Sequence, residues 1–158
     1  LDELRAALNE LSGVKRRFEF YVNSPKQVYM DDYAHHPREL GAAISSVRAM
    51  FPQRHLTAIF QPHLYTRTRD LYDGFAEALS MADEVVLLPI YPAREEPIEG
   101  VTTELIANEL TAPYRIVGLE ELAATIKEMS TDVVVSFGAG SIDRQTEALA
   151  AVAEAKCR

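Results

Sequence analysis

The sequence has few of the features that mark an exported, membrane-spanning or nucleic-acid-binding protein. Its 158 residues include a single cysteine, so no internal disulfide can form, and this predicts a reducing cytoplasm. No apolar stretch approaches the ~20 residues that a membrane-spanning helix needs. Basic residues are outnumbered, with 16 Lys and Arg against 24 Asp and Glu and a formal net charge of −8. This balance argues against nucleic acid or an anionic membrane as the main partner, because both reward excess positive charge.

Two further absences concern the N-terminus and the nucleotide motifs. The chain lacks a start methionine, and its first residues lack the basic and apolar regions of a signal peptide. Because it begins within a helical pattern, we expect it to be a piece of a longer protein. No Gly-x-x-x-x-Gly-Lys-Ser/Thr P-loop occurs, so a nucleotide bound here would not have its phosphates held by that device.

The apolar pattern alternates between strand and helix periods. Nearly continuous apolar runs are each followed by a helical pattern, which predicts a parallel sheet covered on both faces. We therefore predict an α/β fold in one domain, residues 1–158: a Rossmann-like, doubly wound, mostly parallel sheet with helices on both faces. The predicted helices are 2–11, 38–50, 67–81, 102–110, 120–129 and 141–156, and the predicted strands are 18–22, 27–32, 55–60, 84–90, 114–117 and 132–137.

The most informative motif, Asp31-Asp32-Tyr33-Ala34-His35-His36-Pro37, lies where a strand ends and a helix begins. Ligands of open α/β sheets bind at that end of the strands. Buried charges are costly unless paired, so this cluster indicates chemistry rather than packing. Asp32 suits a ribose hydroxyl pair, while one of the two aspartates is open to a helix-capping role or to pairing with an arginine.

A second motif, Gln61-Pro62-His63 through Thr66-Arg67-Thr68-Arg69, also follows a strand and precedes a helix. An arginine fork suits carboxylate or phosphate oxygens. We interpret Arg67 as a ligand contact and Arg69 as a solvated charge, with a threonine capping the helix.

Three weaker signals complete the pattern. Gly138-Ala139-Gly140 follows the last strand and is interpreted as a backbone wall of the same cleft rather than as a dinucleotide motif. The loop 91–101 has a length that is often functional. The run Lys15-Arg16-Arg17 is interpreted as solvated charge in preference to a phosphate contact.

In this order and combination, the motifs resemble the C-terminal domain of the Mur ligase family, in particular of the ligases that join L-alanine to UDP-N-acetylmuramate. The match extends to Gly13 through Glu19 and to Tyr91 through Ile98, and so covers essentially the whole chain. One departure is Leu64, where many members have arginine.

The resemblance implies a cytoplasmic three-domain enzyme of peptidoglycan synthesis that uses ATP and Mg²⁺. The N-terminal domain for the UDP-sugar and the central ATPase domain would lie outside this chain, and the central domain would supply most contacts to ATP and to Mg²⁺. ATP would convert the carboxylate of UDP-N-acetylmuramate into an acyl phosphate, which the amine of L-alanine attacks. The partners are therefore L-alanine, UDP-N-acetylmuramate, ATP and the enzyme's own other two domains.

The resemblance also implies residue roles. Asp32 matches the contact to the ATP ribose. The positions around L-alanine are Tyr33, His35, His63 and Arg67, and Gly138, Ala139 and Gly140 wall the pocket. His35 or His63 is expected to orient the amine or to accept its proton, since an imidazole titrates near neutrality.

Two alternatives remain at this point. One is a Mur-family ligase that recycles cell-wall tripeptide, which shares the first motif; Gln-Pro-His with Thr-Arg-Thr-Arg favours the alanine ligase. The other is a noncatalytic nucleotide-binding module. It predicts a glycine-rich first turn, where this chain has Asp-Asp-Tyr-Ala-His-His-Pro.

Overall fold

A computed structural model describes residues 14–158, so the predicted helix 2–11 lies outside the described residues. One six-stranded sheet runs through the molecule in the order β1-β2-β6-β3-β4-β5. The strands are β1 (Glu19–Asn23), β2 (Val28–Asp32), β3 (Leu56–Phe60), β4 (Glu84–Leu87), β5 (Tyr114–Ile116) and β6 (Val133–Phe137). β1 pairs with β2 in an antiparallel sense and the other neighbours are parallel, which confirms the mostly parallel sheet.

Helices cover both faces of this sheet. They are α1 (Pro37–Met50), α2 (Tyr65–Leu79), α3 (Glu104–Ala107), α4 (Leu122–Glu128) and α5 (Thr146–Cys157). Successive side chains of a strand point to opposite faces, and the core is accordingly divided in two. Phe60 and Phe75 belong to the cluster under α1 and α2, whereas Ile59, Ile126 and Leu149 belong to the cluster under α4 and α5. The prediction of a doubly wound fold is confirmed.

Boundaries differ from the sequence pattern mainly in the second half of the chain. The predicted helix 102–110 is only one turn, Glu104–Ala107, and strand β4 ends at Leu87 rather than at 90. Two predicted helices begin with 3₁₀ segments, Leu119–Glu121 and Ser141–Gln145. Tightening of this kind is common at helix ends, where the first backbone N–H groups lack intrahelical partners.

The strand order brings three loops together. β6 lies between β2 and β3 and is parallel to both, so the residues that follow these three strands meet at one edge of the sheet. β3 and β6 are buried at every position, as expected for central parallel strands. The rigid centre of the sheet therefore positions the segments that begin at Tyr33, Gln61 and Gly138.

Candidate functional site

Three of the sequence-predicted residues, His35, His63 and Arg67, lie side by side at this edge. The ring centroids of His35 and His63 are 6.2 Å apart, and Tyr33 lies edge-on to His35 at 5.1 Å. Nη1 of Arg67 lies 3.3 Å from Nδ1 of His63. Residues from two different strand ends thus form one polar surface, as the positions of the motifs predicted.

The hydrogen bonds assign a tautomer to His35. Its Nδ1 lies 2.9 Å from the backbone carbonyl of Tyr33. Because a carbonyl can only accept, the Nδ1 proton must be present and donates to it. In the neutral ring Nε2 then carries a lone pair and accepts hydrogen bonds. His35 is accordingly a proton acceptor at its free nitrogen.

His63 has the opposite arrangement. A guanidinium has only donors, so Arg67 donates to Nδ1 of His63. The proton of neutral His63 therefore lies on Nε2, which donates. Burial lowers the pKa of His63 from its usual 6.5, the positive charge of Arg67 acts in the same direction, as does His35 when it is protonated, and Glu95 acts against them. His63 is thus held neutral at physiological pH, with Arg67 and its own Nε2–H as neighbouring donors for an anion.

Tyr91 and Gly140 form the wall behind His63. The Tyr91 ring stacks on His63 with centroids 5.6 Å apart and planes inclined by 24°. A Cβ atom at Gly140 would lie 2.6 Å from Cγ of Tyr91, so only glycine fits there. Gln61 braces the same turn, because its side chain donates to the Ser141 hydroxyl at 3.1 Å and accepts from the Ile142 amide at 2.9 Å.

The backbone before α2 is unusual. Leu64 has φ of 73°, a region that branched side chains rarely adopt. Its amide donates to the Tyr91 carbonyl at 2.9 Å, and its carbonyl accepts from the Thr68 amide. Backbone strain of this kind persists only where neighbouring contacts enforce it, and it clusters at functional sites.

Asp31 and Arg16 form a buried brace below the site. Asp31 is fully buried and accepts from Nε of Arg16 at 2.9 Å and from the Ser136 hydroxyl at 2.6 Å. Burial raises the pKa of Asp31, and these two donors act against that rise. Arg16 also donates to the Gly138 carbonyl at 2.6 Å and lies over the Tyr33 ring at 5.1 Å. The interpretation of Arg16 as solvated charge was wrong, because these partners draw it inward.

Asp32 lines a cavity of about 270 Å³ together with Arg17, Phe18, Tyr33 and Glu39. Each carboxylate oxygen already accepts one backbone N–H, from Phe18 at 3.0 Å and from Ala34 at 2.9 Å. A carboxylate has about four acceptor positions, so two remain for ligand hydroxyls. Arg17 is exposed and brings a positive charge to this cavity. Sequence reasoning missed its place there, since nothing in a basic run shows which member faces a cavity.

Other members of the motifs are structural. His36 caps α1, since its Nδ1 accepts from the Arg38 amide at 3.3 Å. Neither aspartate caps α1, so the alternative of an aspartate cap was wrong, whereas pairing with an arginine is confirmed for Asp31. Arg69 is exposed and pairs with Asp70, as a solvated charge. The expected capping threonine before α2 was also wrong, because residue 64 occupies the N-cap position without a side-chain bond.

Two absences apply to residues 14–158. No group of three or more His, Cys, Asp or Glu side chains in this range is arranged to hold a metal ion. Within the same range no helix is both long enough and apolar enough to cross a membrane.

Comparisons with known proteins identify the family. A family model described as "Mur ligase, glutamate ligase domain" matches residues 16–140. A UDP-N-acetylmuramate–L-alanine ligase of Flavobacterium johnsoniae is 49% identical over 142 residues, which are 89% of this chain and 32% of that protein. The chain therefore spans about a third of the length of such relatives.

Solved structures agree in fold. The UDP-N-acetylmuramate–alanine ligase of Thermotoga maritima matches with a TM-score of 0.74 and 28% identity, over 98% of this chain and 35% of that one. A murein peptide ligase of Psychrobacter arcticus matches with a TM-score of 0.71 over 93% of this chain and 32% of that one, and at 21% identity it shows the fold alone.

Proposed function

The chain belongs to the Mur ligase family, and from this premise we propose that it is the C-terminal domain of a three-domain ligase that joins L-alanine to UDP-N-acetylmuramate in peptidoglycan synthesis. The relatives of this name support the proposal by their identity over most of the chain. Mur ligases depend on ATP and Mg²⁺. With ATP and a UDP-sugar as substrates, we expect the reaction in the cytoplasm.

The observation that carries the proposal is the opposite orientation of two neighbouring imidazoles beside one guanidinium. Arg67 and Nε2–H of His63 are donors, which suits the carboxylate of an amino acid. Nε2 of His35 is an acceptor, which suits its amino group. A free α-amino acid carries these two groups on one carbon.

These roles describe how the domain would assist amide formation. A carboxylate oxygen of UDP-N-acetylmuramate attacks the γ-phosphorus of ATP, and ADP leaves. The ammonium group of L-alanine must lose a proton before its nitrogen has a lone pair, and we assign His35 as the acceptor of that proton. The nitrogen then attacks the acyl carbon, the C–N bond forms, and the C–O bond to phosphate breaks. The nitrogen gives up its second proton to the departing phosphate, which is released as inorganic phosphate. His63 and Arg67 hold the carboxylate so that the amine faces the acyl phosphate.

The cavity at Asp32 fits a nucleoside. Its two free acceptor positions suit the ribose hydroxyls of ATP, and Arg17 at the same cavity suits a phosphate oxygen. Gly138, Ala139 and Gly140 lie between the two motifs and form the backbone wall of the pocket. We assign no magnesium ligand to this chain.

Phosphate release by the full-length ligase tests the function. With ATP, Mg²⁺ and UDP-N-acetylmuramate present, we expect release that depends on L-alanine. Release only with the cell-wall tripeptide would transfer the assignment to the recycling ligases, and release with neither would favour a noncatalytic nucleotide-binding module. The 158-residue chain alone should show no ligation, since it contains no P-loop; ATP-dependent ligation by this chain would contradict the three-domain assignment.

A further inference from the structure

We propose that Glu95 is a positioning residue of the amino-acid pocket, because its carboxylate ties the loop 91–101 to the start of α2 and thereby fixes both Tyr91 and Arg67. The role rests on the proposed function, since the pocket it orders is that of L-alanine. Glu95 is remote from His35 in sequence and belongs to a loop that composition alone cannot distinguish from a solvated one.

The start of α2 depends on Glu95 for its cap. Leu64 at the N-cap position makes no side-chain bond to the first turn. Instead, Glu95 Oε2 accepts from the Thr66 amide at 3.0 Å, and Glu95 Oε1 accepts from the Thr66 hydroxyl. A carboxylate at a helix N-terminus is stabilised by the unpaired N–H groups and by the helix dipole. Arg67 is the next residue of this turn, so the cap sets where its side chain begins.

The backbone of Glu95 closes the loop on itself. Ala93 has φ of 53°, and the Glu95 amide donates to the Pro92 carbonyl at 2.9 Å. This turn directs Glu95 back towards α2. At the beginning of the loop, Tyr91 is held by two backbone bonds, from its amide to the Pro62 carbonyl at 2.8 Å and from the Leu64 amide to its carbonyl at 2.9 Å.

The ring of Tyr91 also fixes the orientation of His63. Its ring is confined between His63 on one side and Gly140 on the other. The ring thereby sets the plane of His63, whose Nε2–H is one of the two donors assigned to the alanine carboxylate. The donations from Thr66 lower the pKa of Glu95, so the tether is ionised at neutral pH.

The neighbouring residue Glu96 provides a matched control. It is exposed, carries the same charge, and forms no hydrogen bond or ion pair with any residue of 14–158. Glu95→Gln and Glu96→Gln therefore make the same change in net charge one residue apart. Only the first one weakens the tether, since the amide keeps one acceptor oxygen and replaces the other with a donor.

The first test measures the ring of His63 by NMR in the 158-residue chain, independently of any activity. Stacking on Tyr91 should shift the His63 ring C–H protons upfield, and Tyr91→Leu gives the value without stacking. We expect Glu95→Gln to move these protons part of the way to the Tyr91→Leu value, and Glu96→Gln to leave them unchanged. If Glu95→Gln fails to fold by circular dichroism, Thr66→Val replaces it, since it removes the hydroxyl donor alone and should give a smaller shift in the same direction. Equal spectra for both glutamine variants, or an unshifted Thr66→Val in that case, would overturn the role.

The second test uses the full-length ligase. Glu95→Gln should raise the KM for L-alanine about tenfold, as expected for misplaced charged donors, while kcat and the KM for ATP change less than about twofold. Glu96→Gln should match the wild type. A purely structural role would lower the active fraction, and hence kcat, without moving the KM for L-alanine, and that result would contradict the proposal. If the wild-type ligase shows no turnover that depends on L-alanine, the proposed function and L-alanine as the ligand are both wrong. The NMR experiment would still show whether Glu95 orders the ring of His63.

Discussion

Gly140→Ala is expected to destabilise the chain by a steric effect that the structure allows us to size. Nonbonded carbon atoms prefer about 3.5–4.0 Å, and the added Cβ would lie 2.6 Å from Cγ and 2.7 Å from Cβ of Tyr91. The conflict is therefore about 1 Å and involves the root of the Tyr91 side chain, whose backbone is held at both polar groups. The φ of residue 140 is −97°, which suits alanine, so the cost is steric alone. Overpacking of this kind costs about 1–3 kcal/mol.

Gly41→Ala is the matched control with the opposite expected sign. Gly41 lies inside α1, and its added Cβ would meet only Cβ of Ala78, at an ordinary 3.8 Å. Replacing glycine within a helix should stabilise by about 0.5–1 kcal/mol. Urea unfolding of the 158-residue chain measures both variants. Thermal unfolding provides a second measurement for Gly140→Ala, since each kcal/mol lost from the free energy of unfolding should lower the midpoint by about 2–4 °C. If Gly140→Ala were as stable as the wild type while Gly41→Ala behaved as expected, the tight contact at Tyr91 would be refuted.

Three further predictions concern the charged groups of the site. Arg67→Ala in the full-length ligase should raise the KM for L-alanine about ten- to a hundredfold, more than the KM for ATP, because a charged hydrogen bond contributes roughly 1.5–3 kcal/mol; an unchanged alanine KM would place Arg67 outside the pocket. NMR titration of the 158-residue chain should give His63 a pKa below 6.5, and Arg67→Ala should raise it, because a positive charge next to the ring is removed; a lower value in the variant would contradict the contact. Glu39 accepts from the amides of His35 and His36, the first of which is the main cause that lowers its pKa below 4.5. A carboxyl group whose pKa is lower in the folded than in the unfolded state stabilises the fold at pH values above its unfolded-state pKa. This stabilisation is lost as the pH falls through the folded-state pKa. The free energy of unfolding should therefore decline as pH falls below 4.5, and Glu39→Gln should decline less steeply; parallel curves would exclude this contribution.

The sequence by itself determined the α/β class, the two-sided sheet and the sheet edge at which the polar motifs meet. Buried parallel strands require continuous apolar runs, and Leu56–Phe60 and Val133–Phe137 are such runs. Polar residues directly after them must lie at the edge of the sheet, so His35, His63 and Arg67 could be predicted to converge. The identity of the family also followed from the combined motifs and is confirmed by the match over residues 16–140.

Only the tertiary structure decided which member of each motif is tied into the fold and which remains open to a ligand. Arg16 and Arg17 are neighbours in a basic run, but Arg16 turns inward to Asp31 while Arg17 remains exposed at the cavity of Asp32. His35 and His36 are likewise adjacent, and only the hydrogen bonds show that His36 is a helix cap.

The tether of Glu95 depends on a contact between residues that are distant in the chain, whereas the tautomers of His35 and His63 follow from contacts with near neighbours in the sequence. The hydrogen bond from Arg67, one helical turn away, indicates which nitrogen of His63 carries the proton. The hydrogen bond from Thr66 to Glu95 instead joins segments 29 residues apart. Local periodicity records burial and secondary structure, because these depend on a residue's near neighbours in the chain. It does not record which loop folds back onto which helix, since that outcome depends on the packing of the whole sheet edge.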